Sequence, residues 1–350
     1  MAKPKKKQLP KTFEDLLKAS DIEALKAVFD THELDARGGY TKHTAQAYGD
    51  CPDELTRWLV AKGADLMATD TYGDTPLHAR AGSWQGHVEI LLELGADVHH
   101  ATGLHGTPLH VAATRYRPES ARTLLKYGAR VDALDRENVT PLERALRWCQ
   151  NTQIEAMAEL AGILLVHGAR VTPEIKTCVT RIGGNFEFHR SSFNPELLET
   201  TSNALETLYR LHDVPSVPRR RLHDGTSPII AKAARWQDRH EELWEMLIPS
   251  KGPAATVQGE VLRIGSRIVD ELDRNGGVNW DANYRKMAQS YARHVASGAS
   301  LPETMLSEVR DIVARLNGQQ EGPQRLCELA VEWISRNPVP VKLPRPDYNR

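Results

Sequence analysis

The densest chemical run lies between Val98 and His110, where His99, His100, His105 and His110 fall close together just after Asp97. Imidazoles and a carboxylate are zinc ligands, but zinc wants three or four convergent donors at a workable spacing, and this run keeps none. The favoured reading is a solvent-facing loop tip plus one structural histidine, with no metal. A second set begins at Arg219, Arg220 and Arg221, just before His223, where guanidinium forks could grip phosphate or carboxylate. Gln258, Glu260 and Asn279 could join it, with Glu260 as general base and the two amides positioning a substrate. Against that, Glu260, Arg263, Arg267, Asp270 and Glu271 recur at three- and four-residue intervals, the ordinary spacing of ion pairs along a polar helix face. Neither G-x-S-x-G, H-E-x-x-H nor a Walker-type glycine loop occurs. Cys51, Cys149, Cys178 and Cys327 are far apart without a C-x-x-C pair, which fits a reducing compartment. No catalytic residue and no cofactor is assigned.

The elements that would position these groups must come from a chain of 350 residues with 45 Lys plus Arg against 46 Asp plus Glu. The net charge of −1 gives no global field for nucleic acid or an anionic membrane, and neither is expected as a partner. With 40% hydrophobic and 26% charged residues the composition is that of a folded protein. Lys3, Lys5, Lys6, Lys7 and Lys11, interrupted by Pro4 and Pro10, read as a basic flexible tail over residues 1–11. No long apolar run and no signal-type apolar segment occurs, so a cytoplasmic protein is expected.

Self-similarity decides the architecture. Thr75-Pro-Leu-His78, Thr107-Pro-Leu-His110 and Thr140-Pro-Leu-Glu143 recur at a period of about 33 residues. Each is followed by an apolar helical pattern that closes at Gly95-Ala-Asp97, Gly128-Ala-Arg130 or Gly168-Ala-Arg170, and Gly63-Ala-Asp65 closes an earlier copy. Threonine accepts the orphan N–H groups of a helix start, and the proline after it has no N–H to waste. Each glycine suits the left-handed position where a helix stops. These words resemble the ankyrin repeat family over residues 12–172. The resemblance implies a turn, two antiparallel helices and a projecting hairpin per unit, with His78 and His110 as neutral structural side chains. The copy from Gly39 keeps Thr41 but has Lys42 and His43 in place of the proline and leucine, and the fourth copy is longer around Trp148 to Met157. Phe13, Leu16, Leu17, Ile22, Leu25, Val28 and Phe29 predict a capping helix pair joined at Ser20-Asp21.

Beyond residue 172 the pattern fades. Helices are predicted over 174–182 and 195–211, and residues 223–250 read as a further divergent copy, so 173–250 is assigned to ankyrin-like repeats. Helices over 255–273, 284–297, 302–316 and 323–336 make a C-terminal helical region, 251–336, and the Pro-rich end 337–350 is an extended tail. This part is also similar to the C-terminal parts of uncharacterised bacterial ankyrin-repeat proteins.

The expected fold is therefore all-α: an ankyrin-type helical solenoid with short hairpin loops and a C-terminal α-helical cap or domain. The expected function is a non-enzymatic scaffold or adaptor that binds another protein through hairpin tips and concave helix faces. Tip positions lie between each glycine stop and the next Thr-Pro start, and they nominate Met67, Tyr72, His99, His100, Leu104, His105, Leu134 and Arg136. The alternative is an enzyme or small-ligand domain in residues 173–336 for a phosphate- or carboxylate-bearing ligand. That reading needs Arg219, Arg220, Arg221, His223, Gln258, Glu260 and Asn279 to converge in one pocket.

Overall fold

The computed structural model describes residues 4–316 and 323–349, and all statements below concern these. Lys3 and Arg350, at the outer ends of the two expected tails, lie outside them. The chain divides into two compact units, one of residues 1–186 with 194–217, the other of 187–193 with 218–350.

The first unit opens with a strand where the sequence suggested a free tail. β1 (Lys6–Gln8) pairs in parallel with β2 (His32–Gly38), which pairs antiparallel with β3 (His43–Thr44). Between β1 and β2 run α1 (Phe13–Ala19) and α2 (Ile22–Thr31). The expected basic tail is thus corrected: Lys5 Nζ donates to Phe29 O at 2.6 Å, and Leu9 joins Phe13, Leu17, Leu25 and Phe29 in a buried cluster. The lysines are carried on a strand that ends in the core, so their charge run marks its exposed part. The Ser20-Asp21 junction behaves as its sequence predicts. Ser20 is left-handed at φ 56°, and Asp21 accepts from Ala24 N at 3.1 Å to cap α2.

The repeats follow as pairs. α3 (Asp53–Ala61) is preceded by a single 3₁₀ turn, Ala45–Ala47. Then come α4 (Pro76–Gly82) with α5 (Val88–Glu93), α6 (Pro108–Thr114) with α7 (Pro118–Lys126), and α8 (Pro141–Trp148) with α9 (Ile154–Val166). The first helices pack on one another in the order α4, α6, α8, and the second helices in the order α5, α7, α9. In the first copy the start is Thr44, not Thr41. Thr44 has φ −78° and ψ 167°, matching −77° and 166° at Thr75, whereas Thr41 spends its hydroxyl on His43 at 2.8 Å. The extra residues of the fourth copy form a 3₁₀ turn, Asn151–Gln153, and the 13 residues of α9.

α10 (Pro173–His189) and α11 (Leu198–His212) continue the array, α11 packing on α9. The sequence ended the α10 helix at Ile182, before two glycines, yet it runs on. A Cβ at Gly183 would fall 1.8 Å from Tyr209 Oη, so this glycine serves close helix approach and is no stop.

The expected copy at 223–250 falls within the second unit. α12 (Trp236–Leu247) packs on α13 (Val257–Val269) and α16 (Gln324–Arg336) within the second unit, together with α14 (Ala282–Val295) and α15 (Glu303–Arg315). Its periodic face, with Leu243 and Leu247, is buried against Val261, Ile264 and Leu329, so the apolar spacing was right and its partner was not a repeat. α13 ends in a π-helical turn, Asp270–Arg274.

The Pro-rich end is extended, as expected, but it is bound. Val257 N donates to Val341 O at 2.8 Å, Leu343 N to Ala255 O at 3.1 Å and Ile229 N to Pro338 O at 2.7 Å. Tyr348 is buried at its far end. Prolines satisfy this geometry because only alternate backbone groups of an edge segment need partners.

The repeat stops carry a direct test. Gly95 and Gly128 have φ of +97° and +88°, and a Cβ at either would meet nothing within 4 Å. Gly95→Val or Gly128→Val therefore adds backbone strain without a clash, and is expected to cost about 1 kcal/mol or more. Thermal melting reads this, and an unchanged midpoint would remove the glycines from the role of repeat stops.

Candidate partner-binding surface

Each Thr-Pro-Leu-His word builds one bridge between repeats. Thr75 N donates to His78 Nδ1 at 3.3 Å, so Nε2 bears the proton and donates to Gly106 O at 3.1 Å in the next copy. His110 repeats this with Thr107 N at 3.2 Å and Val139 O at 3.0 Å. Burial lowers the pKa of both rings, which favours the neutral form this bonding requires. Glu143 breaks the series by pairing with Arg147 at 2.6 Å on its own helix. These histidines set the register of the loops above them.

The nominated tip residues divide into free and engaged. Tyr72, Leu104, Leu134, Arg136 and His99 are exposed, and Met67 is half-buried. His100 is not free, since its ring meets the His78 ring edge-on with centroids 5.8 Å apart. His105 Nδ1 lies 2.7 Å from Asp74 Oδ2, and its ring meets Tyr72 edge-on at 6.3 Å, tying neighbouring tips together. Among the described residues no cluster of three or more histidine, cysteine or carboxylate side chains could hold a metal.

Sequence reasoning missed the most interface-like part of this surface. Trp84, in the α4–α5 loop, is 83% exposed, and Trp148, at the end of α8, is 64% exposed. The Arg117 guanidinium lies over the Trp84 ring, 3.6 Å from its centroid, and donates from Nε to Gly82 O at 3.2 Å. Two grooves share Ser83 and Arg117. One, of 530 Å³, runs past Trp84, His87 and Glu119, and the other, of 610 Å³, runs past Leu104, His105, Arg115 and Trp148. A signal for Trp84 was present. It stands outside the helical period in a Ser-Trp-Gln-Gly loop, where no core position exists to take an indole.

The alternative ligand residues do not come together, because most are spent on the fold. Arg220 donates to Trp244 O in the last turn of α12 and to Ile248 O just beyond it, at 2.7 Å each, and lies over the Phe188 ring. Arg219 and Arg221 are exposed beside it. His223 donates its N–H to Met246 O at 2.8 Å, and its Nδ1 accepts from Gly225 N at 3.0 Å. Gln258 holds the C-terminal segment, with Nε2 on Asn337 O and Val339 O at 2.9 and 2.7 Å and Oε1 accepting from Val341 N at 3.1 Å. Asn279 donates through its backbone and side chain to Glu271. The expected polar face of α13 is corrected as well. Glu260 and Arg263 are 0% and 2% exposed, and form a bidentate pair at 2.7 and 2.8 Å.

Comparison with known proteins agrees with the repeat geometry. Residues 85–173 match the family model for ankyrin repeats in three copies. The E3 ubiquitin-protein ligase Ufd4 of Drosophila melanogaster is 32% identical over 146 residues, 41% of this chain and 5% of its own. Ankyrin repeat and SOCS box protein 5 of Mus musculus is 30% identical over 165 residues, 45% of this chain and 43% of its own. Ankyrin repeat protein nuc-2 of Neurospora crassa is 28% identical over 204 residues, 55% of this chain and 17% of its own. The chain thus spans less than half the length of each of these relatives.

Proposed function

We propose that this chain, whose residues 85–173 are ankyrin repeats, is a non-enzymatic protein-interaction scaffold or adaptor. Its partner is another protein, held along the Trp84–Trp148 groove and the adjoining hairpin tips. The observation that carries the reading is the pair of large exposed indoles on one grooved surface, since water contact with so much apolar area is costly unless a partner covers it. Arg117 is already fixed over Trp84 and so loses little freedom on binding, which suits a hot-spot residue. The dispersal of the alternative ligand residues further supports the interaction reading over an enzyme built on them. None of the described helices is long and apolar enough to cross a membrane.

The test compares capture from native lysate by the wild-type chain and by variants. Trp84→Ser and Trp148→Ser should each weaken retention of a specific protein by about 2 kcal/mol, and Tyr72→Ala or Arg136→Ala by about 1–2 kcal/mol. Melting should barely move for any of them. His100 is left unchanged, because its contact with His78 would confound binding with stability. Full retention by the Trp84, Trp148, Tyr72 and Arg136 variants would overturn this surface.

A further inference from the structure

Two clefts within the C-terminal unit adjoin at Gly252 and Arg263. One, of 420 Å³, is also lined by Pro253, Arg345 and Tyr348, and the other, of 360 Å³, by Trp244, Lys251, Arg267 and Glu271. Arg263 is the residue common to both that carries charge, and its guanidinium is only partly used. Nε and Nη2 are taken by Glu260, but Nη1 is buried without a hydrogen-bond partner. A buried donor of this kind calls for an acceptor. The surroundings say which sort. Lys251, Arg267 and Arg345 line the same clefts, and none of them forms an ion pair among the described residues. Of the opposing carboxylates, Asp270 pairs with Arg274 at 3.4 Å, and Glu271 accepts from Asn275 and Asn279.

We propose that these adjoining clefts bind a small oxyanion, a phosphate- or carboxylate-bearing molecule, between Arg263 Nη1 and the cations Lys251, Arg267 and Arg345. Glu260 neutralises one edge of the guanidinium and fixes its plane, so Nη1, the one nitrogen left without an acceptor, is held in a single orientation at the cleft wall. An anion would satisfy the stranded donor and relieve repulsion among the rim cations together. The site is distinct from the sequence-expected set, since Arg219, Arg220, Arg221, His223, Gln258 and Asn279 line neither cleft. It is also independent of the interaction reading, which rests on the first unit.

Titration calorimetry of the full chain with sodium phosphate, pyrophosphate and citrate, at constant ionic strength against chloride, tests the site. Saturable uptake is expected, weakened about tenfold by Arg345→Ala and by Arg267→Ala. Arg130→Ala, an exposed position in the repeat array that lines neither cleft, should leave it unchanged, and melting of each variant verifies the fold. Uptake of phosphate or pyrophosphate without citrate assigns a phosphoryl ligand, and citrate alone assigns a carboxylate. No saturable uptake of any of the three, or uptake that both Arg345→Ala and Arg267→Ala leave intact, would overturn the proposal.

Discussion

Replacing Arg80 by methionine is expected to destabilise the repeat array by about 3–5 kcal/mol, lowering its melting temperature by roughly 10 °C. The side chain is 0% exposed, and every nitrogen of its guanidinium is used. Nε donates to Gln46 O at 2.7 Å, Nη1 to His87 O at 3.0 Å, and Nη2 to Cys51 O at 3.2 Å and Thr56 Oγ1 at 2.8 Å. The reason lies one repeat earlier. Where the other copies have a full first helix, the first has only the turn Ala45–Ala47, which leaves its carbonyls without helical partners. Arg80 reaches back with Nε to Gln46 O in that turn and with Nη2 to Cys51 O beyond it, while Nη1 holds His87 O in its own copy. Methionine keeps much of the volume but strands these acceptors, each at about 1–3 kcal/mol. Arg80→Lys should be nearly as damaging, because one ammonium cannot span carbonyls that a planar fork reaches in different directions. Chemical denaturation followed by helical circular dichroism measures both. A loss below about 1 kcal/mol for methionine would mean that those carbonyls find other donors.

Arg80 also shows where sequence reading stopped short. In the aligned copies its place is held by Ala112 and Ala145, both fully buried, so an arginine there departs from the repeat in plain view. Comparing copies position by position would have flagged it. The Thr-Pro starts and glycine stops were legible because they act through local backbone geometry, which the sequence states residue by residue. The helices of the second unit were legible for the same reason, down to α14 and α16. What was not legible was which partner each apolar face would meet. Leu243 and Leu247 fit a repeat helix as well as a bundle helix, since periodicity reports a buried side and not what covers it. The two tails failed in a related way. Lysines and prolines suggested solvation, yet backbone pairing to β2 and to Ala255 and Val257 involves long-range partners that composition does not encode. At the candidate surface, tip positions followed from spacing, whereas the Trp84–Arg117 stack required knowing that the α4–α5 and α6–α7 loops lie side by side.

The second large effect concerns the buried pair on α13. Glu260→Ala is expected to cost about 3–5 kcal/mol of stability in the C-terminal unit, because it leaves Arg263 charged and buried without its counter-ion. Glu260 Oε1 accepts from Arg263 Nη2 and from Tyr348 Oη at 2.6 Å, and Oε2 accepts from Arg263 Nε and from Ala254 N at 2.9 Å. Burial alone would raise its pKa, but the Arg263, Tyr348 and Ala254 donors outweigh burial and hold it below the usual glutamate value. A depressed carboxylate pKa contributes stability above the unfolded-state value of about 4.3 and loses it as pH falls through the folded-state value. The penalty of Glu260→Ala should therefore be fully present at neutral pH and shrink in acid. Tyr348→Phe removes one donor to a charged acceptor and should cost about 1.5–3 kcal/mol while loosening the C-terminal segment. The double variant Glu260→Met with Arg263→Met separates pairing from packing. It should recover only the part of the loss that comes from the unpaired charge, since two apolar side chains have no buried charge to desolvate while Ala254 N and Tyr348 Oη still lose their acceptor. Denaturation of the single and double variants, with hydrogen exchange at Val257 and Leu343 as a reading of segment attachment, closes the cycle. A double variant no more stable than Glu260→Ala would show that the pair is needed for shape and not only for its mutual neutralisation.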